Sequence, residues 1–286
     1  MSTASDVAIC NDYIENKLLP IDIAKKYNLK SLYVLNRILK VNNVERKNRS
    51  ELSKLIVRNR NCGTIYTYNM NYFNEWSNNM AYILGLIAAD GNVCNGTFKI
   101  ALKSTDYDIL EKVKNELGYS GSLKYETNKC KGKEYRSVVL SIHRMEIIDA
   151  LKTYNITANK SFTIKMPDNI PNEFIIDYIR GYFDGDGCVG LQYPGKTQTA
   201  QIRTRICSGS RVLLEQFRDY LVKCGLRCVT VTNKFNIFEI CYSTKNSLVL
   251  YDMFYNNSNA LYLDRKKEKF EHCIQIRNSD LNSKVI

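Results

Sequence analysis

One hydrophobic pattern, a helix-length apolar run that stops at Asp-Gly, occurs twice, at Ile83–Gly91 and Ile179–Gly187. Each run carries two small residues four positions apart, Gly85 and Ala89 in the first run and Gly181 and Gly185 in the second. Residues four apart share one face of a helix, and a small face lets two helix backbones approach closely. Glycine inside a helix costs about 1 kcal/mol relative to alanine, so its repetition needs a reason in packing. The pattern predicts that the two runs pack side by side as helices.

The surroundings of the two runs repeat as well. Strand-like alternation of apolar and polar residues is clearest at 97–104, where Phe98, Ile100 and Leu102 are the apolar positions. The first half predicts strands at 91–94, 97–104, 122–127 and 135–142 and helices at 106–117 and 145–154. The second half predicts strands at 188–193, 201–207, 228–233 and 238–242 and helices at 211–224 and 245–255. The chain therefore predicts an α+β fold of two pseudo-twofold related αββαββα halves, each with a four-stranded antiparallel sheet.

A small all-α unit precedes the repeat. Helices are expected at 6–16 and 20–27, and a third follows Ser31, a residue that often caps helix N-termini. The unit looks like a DNA-binding helix-turn-helix, with a third helix whose outer face could meet a major groove. The outer-face residues are Tyr33, Asn36, Arg37 and Lys40. The alternative is a three-helix cap with a solvated polar face.

These patterns divide the chain into four segments. The helical unit takes 1–47, a basic linker with a short helix near 50–57 takes 48–70, and the two halves take 71–168 and 169–286.

Charge changes this picture by pointing to a partner. The chain has 41 Lys+Arg against 29 Asp+Glu, a net charge of +12, which suits a polyanion such as nucleic acid. Its 10 cysteines form no Cys-x-x-Cys pair, so reduced thiols inside a cell are expected rather than a disulfide scaffold or a zinc site. We expect no signal peptide and no membrane span, because the chain starts without a basic-apolar leader and has no apolar run of about 20 residues.

The two repeated runs also place a carboxylate at each helix end. If the runs pack together, Asp90 and Asp186 lie close to one another, and both lie at helix C-termini, which carry partial negative charge. Such a pair needs a cation, and hard divalent cations such as Mg²⁺ prefer carboxylate oxygens. The alternative is that Asp-Gly only ends each helix, with glycine in the left-handed conformation. The match of Gly, Asp and Gly in both copies favours the metal site.

The two runs resemble the defining motif of the LAGLIDADG homing endonucleases, in the single-chain form that carries two copies. The resemblance covers residues from about 71 onward. It implies a site-specific endonuclease of mobile elements that makes a double-strand break with short 3′ overhangs by metal-dependent phosphodiester hydrolysis. It also implies metal binding by Asp90 and Asp186 and by the backbone carbonyls of Ala89 and Gly185, with Mg²⁺ as the cofactor and Mn²⁺ or Ca²⁺ able to occupy the site. One position departs from the pattern, since the earlier acidic residue of the motif is Ala88 in the first copy and Asp184 in the second.

The resemblance further implies one lysine from each half beside the acids. Lys160 follows the last helix of the first half and Lys266 that of the second, and we assign them this catalytic role. Arg265 and Lys267 are rivals for the second position. The alternative for all of them is ordinary surface charge.

Two sheets related by a twofold axis can follow one DNA duplex, because a β-ribbon fits the major groove. Outward polar residues would contact double-stranded DNA: Lys99, Lys103, Lys124, Arg136, Gln192, Gln201, Arg203, Arg205 and Lys234. The loops at 128–133 and 194–199 are expected to reach along the backbone. A monomer is expected, because the duplication supplies both halves of the site.

The main alternative function is a binding protein that reuses the same scaffold without cutting, either an intron RNA maturase or a transcription regulator. Residence in an intein is a third alternative, which an initial Met and the lack of a terminal His-Asn pair disfavour.

Overall fold

The computed structural model describes residues 4–16, 18–59, 66–94, 96–130, 132–195, 199–256 and 260–283. The chain divides into two compact units, Met1–Ile65 and Tyr66–Ile286. This boundary falls inside the predicted 48–70 linker, of which residues 60–65 lie outside the described residues. The finer division into four segments stays a prediction.

The N-terminal unit is helical, as its apolar spacing predicts. Its helices are α1 (Ala4–Ile14), α2 (Pro20–Lys26), α3 (Leu32–Val41) and α4 (Arg49–Asn59). A small core of buried apolar side chains holds α1, α2 and α3 together: Ile9, Cys10, Tyr13, Ile23, Leu35 and Leu39. Ser31 stands at the N-cap of α3, but its side chain makes no cap hydrogen bond.

The larger unit contains the duplicated helices and strands in the predicted order. The first half has α5 (Asn78–Asp90), β1 (Gly91–Cys94), β2 (Thr97–Lys103), α6 (Tyr107–Glu116), β3 (Lys124–Cys130), β4 (Lys133–Ile142) and α7 (Met145–Thr153). The second half has α8 (Ile175–Asp186), β5 (Gly187–Gln192), β6 (Gln201–Ser208), α9 (Arg211–Lys223), β7 (Thr232–Lys234), β8 (Ile237–Tyr242) and α10 (Thr244–Tyr255), and α11 (Asp264–Asn282) follows it. The predicted α+β architecture of two αββαββα halves is confirmed.

Each half forms one four-stranded antiparallel sheet, with strand orders β1-β2-β4-β3 and β5-β6-β8-β7. Strand β3 begins and ends later than predicted, so most of the loop expected at 128–133 is strand, and residue 131 lies outside the described part of the chain. Strand β7 covers only Thr232–Lys234 rather than 228–233. The tight turn at Phe235 and Asn236 sets its pairing with β8, and this pairing covers only Thr232 to Lys234. Residues 196–198 of the other predicted loop are also outside the described residues.

The alternation of the strands separates a core face from an outer face. In β2, Phe98, Ile100 and Leu102 are buried, whereas the residues between them are more exposed. The core faces of both sheets and the helices packed on them form one continuous apolar core. None of the described helices is long and apolar enough to cross a membrane.

Candidate active site

Helices α5 and α8 pack against each other at the glycines of the repeated runs. A Cβ atom at Gly85 would lie 2.0 Å from the carbonyl oxygen of Tyr178, and one at Gly181 would lie 2.0 Å from that of Tyr82. Each glycine thus faces the backbone of the other helix at the matching position of the repeat. No other side chain fits this distance, and the predicted close approach of the two helices is confirmed.

This packing brings the two terminal carboxylates to one place. Asp90 is the last residue of α5 and Asp186 the last of α8. A Cβ at Gly185 of α8 would lie 2.7 Å from the Asp90 carboxylate oxygen Oδ2 and 2.5 Å from the Cβ of Ala89. The ends of the helices therefore abut, with the acid of one helix against the backbone of the other.

The electrostatics of the pair follow from this crowding. Loss of surrounding water, and then repulsion by Asp186, raises the pKa of Asp90 to about 6. The pKa of Asp186 is raised in the same direction, also mainly by loss of water, although more of this side chain reaches solvent. Ionisation of the two carboxylates is therefore less favourable in the folded protein than in water, and a bound cation would offset this difference.

Two buried lysines approach the acids in matching ways. Lys160 Nζ donates a hydrogen bond to the carbonyl of Gly91, and Lys266 Nζ donates one to the carbonyl of Gly187. Each carbonyl belongs to the residue directly after an acid, and each lysine is only 6% exposed. Burial lowers the pKa of both ammonium groups, and the neighbouring carboxylates oppose that change. The ammonium groups also face the negative ends of α5 and α8.

The helix geometry separates Lys266 from its two rivals. Arg265 turns away and makes a bidentate ion pair with Asp106, at 3.0 and 2.9 Å, which links the second half to the first. Lys267 Nζ lies 4.8 Å from the centre of the Tyr262 ring. Only Lys266 of the three is buried and donates to Gly187, so the structure brings together the four residues expected from the sequence.

Asp184, the unmatched acid of the second copy, has a role that the sequence does not reveal. It is 1% exposed, and its carboxylate accepts hydrogen bonds from the Tyr82 hydroxyl (2.9 Å), the Tyr255 hydroxyl (2.8 Å) and the Leu263 amide (2.7 Å). Leu263 is the N-cap of α11, the helix that carries Lys266. Asp184 therefore ties both motif helices to the segment that positions the second lysine, although burial raises its pKa to about 6.

The first half lacks this arrangement because Ala88 occupies the matching position. Tyr178 matches Tyr82 in the repeat, but among the described residues the buried Tyr178 hydroxyl has no hydrogen-bond partner. Burial alone raises the pKa of this hydroxyl. The two otherwise similar centres thus differ in how their lysines are held.

The donor set suits a hard cation. The site offers two crowded carboxylates, both with raised pKa values, and Mg²⁺ prefers carboxylate oxygens as ligands. Within the described residues, no cluster of three or more His, Cys, Asp and Glu side chains could hold a metal ion. A divalent cation at Asp90 and Asp186 would therefore complete its shell with water, backbone carbonyls or groups of a substrate. The carbonyl ligands predicted at Ala89 and Gly185 stay a prediction.

Comparison with known families identifies this duplicated arrangement. The LAGLIDADG-like domain model matches residues 77–154 and 173–247, one match in each half. The chain belongs to the LAGLIDADG-like domain family. The resemblance inferred from the repeated runs is confirmed, and the two matches show a two-motif, single-chain LAGLIDADG protein.

Similar curated proteins carry varied names. The chain is 24% identical over 207 residues to the DNA-directed RNA polymerase subunit Rpo1C of Methanocaldococcus jannaschii, covering 70% of this chain and 21% of that protein. It is 24% identical over 216 residues to the ribonucleoside-diphosphate reductase NrdEB subunit alpha of Bacillus subtilis, covering 71% of this chain and 19% of that one. The chain thus spans about a fifth of the length of these relatives.

Solved structures with a similar fold include two LAGLIDADG homing endonucleases. One is I-LtrWI bound to target DNA, with 15% identity, a TM-score of 0.49, and coverage of 73% of this chain and 91% of that chain. The other is I-GzeII in complex with a DNA target, with 14% identity, a TM-score of 0.49, and coverage of 73% and 92%.

Most of the predicted contact residues of this LAGLIDADG scaffold lie on the outer faces of the two sheets. Strand pairing places them there together: Lys99, Lys103 and Lys124 in the first half, and Gln192, Gln201, Arg203, Arg205 and Lys234 in the second. Two are neutralised by neighbours, since Lys99 pairs with Glu126 at 2.8 Å and Lys234 with Glu239 at 2.6 Å. The outer faces are therefore basic but partly compensated.

Arg136 is the exception, and its assignment to the outer face is wrong. It alternates with the outward Ser137 and so shares the side of the strand with buried Val138 and Leu140. Its guanidinium lies 4.6 Å from the centre of the Tyr125 ring. Strand parity in the sequence already carried this signal, because Arg136 falls in register with the apolar positions of β4.

The polar face predicted on α3 is present in the N-terminal unit. Tyr33 is 76% exposed, Arg37 and Lys40 are exposed, and Asn36 is half-buried. Leu35 and Leu39 point to the core of the unit. The DNA-binding role of this face stays a prediction.

Proposed function

We propose that the protein is a divalent-metal-dependent endonuclease that makes a double-strand break in a long, specific DNA target. The observation that carries this proposal is the pair of acids at abutting helix ends, each beside a buried lysine from its own half. The strands of a duplex run antiparallel, so two pseudo-twofold related centres suit the cutting of both.

The proposed roles follow from the chemistry of the side chains. Asp90 and Asp186 hold Mg²⁺, which when bound supplies charge neutralisation to a phosphodiester and to its leaving group. Because the pKa of Asp90 is about 6, this ligand is ionised at neutral pH and protonated below that value. Lys160 and Lys266 place positive charge beside the acids, where it orients the scissile phosphate. Activity is expected to fall as the pH drops below 6, because Asp90 then becomes protonated.

Duplex DNA is the proposed partner because of the outer sheet faces. They carry lysine, arginine and glutamine side chains in strand register, on a chain with a net charge of +12. Homing endonucleases of similar fold, such as I-LtrWI, have been solved with target DNA. The resemblance to this family further supports short 3′ overhangs and a monomeric enzyme.

The test is a cleavage assay on the uninterrupted DNA that flanks the gene of this protein. Purified protein is incubated with plasmid carrying that sequence and Mg²⁺, alongside Asp90→Asn and Asp186→Asn variants and an Asp149→Asn control on the surface of α7. We expect a double-strand cut by the wild type and the control and none by the two active-site variants. A plasmid left intact by the wild type would count against the proposal.

A non-cleaving nucleic-acid-binding protein is the second candidate. The N-terminal helical unit supports it, because the exposed polar face of α3 offers a binding surface apart from the acids. Tight binding to the plasmid without a cut would favour a regulator, and tighter binding to intron RNA than to the duplex would favour a maturase.

A further inference from the structure

The turn that joins β7 to β8 has an unusual composition. It consists of Phe235 and Asn236, between the paired residues Lys234 and Ile237. Both turn residues have positive φ, 49° and 72°. Two-residue hairpins of this kind favour Asn-Gly, because the left-handed region is open to glycine and asparagine and disfavours bulky residues.

Phe235 is unfavourable in two respects at once. Its backbone lies in the left-handed region, and its side chain is 101% exposed, so the ring contacts nothing in the folded protein. An exposed ring in water gains none of the stability that burial gives. The fold does not require phenylalanine at such a tip, since the hairpin between β3 and β4 has Gly132, with φ of 75°, in its turn. Stability of the folded protein therefore does not explain this residue.

The position of the turn relates Phe235 to the proposed DNA surface. Gly187, directly after Asp186, pairs with Ile206, which pairs with Ile240. The hairpin continues beyond this row to its tip, so Phe235 projects past the end of the sheet whose first strand begins directly after the acid. Lys234, the residue before it, lies on the outer face with Arg203 and Arg205.

We propose that Phe235 is a specificity residue that makes apolar contact with base edges in the major groove of the DNA half-site bound by the second half. A positively charged face that ends in an exposed ring fits a partner with both phosphates and apolar surface. The methyl group of thymine is the apolar base edge of the major groove. This inference rests on the proposed binding of duplex DNA and adds a residue that reads one half of the target.

The test compares two substitutions in the same turn. Phe235→Asn and Asn236→Gly each place a favourable residue at a positive φ, so both should raise the thermal midpoint. Only Phe235→Asn removes the ring. The wild type and both variants are used to select sites from a pool of random 40-base-pair duplexes, as the probe, in Ca²⁺ so that bound DNA stays intact.

We expect the wild type and Asn236→Gly to select the same site, with a thymine preference in one half. Phe235→Asn should lose that preference and bind the wild-type site about tenfold more weakly, the effect of one poor base contact. Equal affinity and an unchanged selected site for Phe235→Asn would overturn the inference and leave the proposed function intact. Failure of the wild type to bind any duplex would overturn both.

Sedimentation velocity tests whether Phe235 contacts a second copy of the chain instead of DNA. A wild-type dimer that dissociates in Phe235→Asn but persists in Asn236→Gly would assign the ring to a contact between two copies of the chain and overturn the DNA contact.

Discussion

The crowding of the two acids makes a direct prediction for Asp90→Asn in metal-free buffer. The pKa of Asp90 is raised from 3.8 to about 6, a difference of about two units, and each unit corresponds to about 1.4 kcal/mol. Ionised Asp90 therefore lowers the free energy of unfolding by about 3 kcal/mol at neutral pH. Asparagine carries no charge, so we expect the variant to be more stable than the wild type by about this amount at pH 7.5.

The sign of the effect sets its dependence on pH. The folded protein binds the Asp90 proton more tightly than the unfolded chain does, because the pKa is raised on folding. The contribution of Asp90 to the stability of the wild type thus falls as the pH rises from about 4 to about 6, and its full penalty holds above 6. The advantage of the variant should be largest above pH 6.5 and should shrink toward zero near pH 4.

The assay is urea denaturation with EDTA at pH 7.5 and 4.5, repeated at pH 7.5 with millimolar Mg²⁺. Bound Mg²⁺ should stabilise the wild type and not the variant, because a ligand of the folded state raises its stability. Asp149→Asn is the control, since Asp149 makes an exposed ion pair with Lys152, and it should change stability by less than about 1 kcal/mol. Equal stability of Asp90→Asn and the wild type at pH 7.5 would refute the reasoning.

Three further predictions concern the motif helices and the link between the halves. Gly181→Ala should destabilise the protein by about 3 kcal/mol in urea denaturation, because its Cβ meets a backbone carbonyl of α5, whereas Gly190→Ala in open space should be near neutral. Tyr82→Phe should lower the free energy of unfolding by about 1.5 kcal/mol, because it removes a hydrogen bond to a buried carboxylate. Tyr178→Phe should be neutral or stabilising in the same assay, because the Tyr178 hydroxyl has no partner among the described residues. Equal losses in the two variants would contradict this difference between the halves. Arg265→Gln should lower the free energy of unfolding by about 2 kcal/mol, measured by thermal unfolding, because it leaves the buried carboxylate of Asp106 without its cation. An unchanged thermal midpoint would show that solvent replaces the ion pair.

The sequence predicts the architecture well because local signals and the repeat agree. The order of helices and strands in both halves follows from spacing alone, and Gly85 with Gly181 predicts the close helix contact. The positions of Asp90 and Asp186 follow from that contact. Strand limits are less accurate where tight turns set the pairing, as in β7.

The partners of individual side chains are harder to predict, because they are distant in the chain. The donors to Asp184 come from α5, α10 and the start of α11, and no spacing in the sequence links them. The choice among Arg265, Lys266 and Lys267 depends on the rotation of α11, which adjacent positions in the sequence do not reveal. For Arg136 the information was present in the strand parity.

The glycine contact between α5 and α8 has a consequence for how such a chain can change over generations. Because each glycine meets the backbone of the other helix, this join between the halves needs no particular side chain on the outer sheet faces. Mutations on the outer sheet faces can therefore accumulate in one half without disturbing the join or the other half. Descendants of one duplicated ancestor could acquire new targets half by half, while any side chain added at Gly85 or Gly181 would be removed by selection.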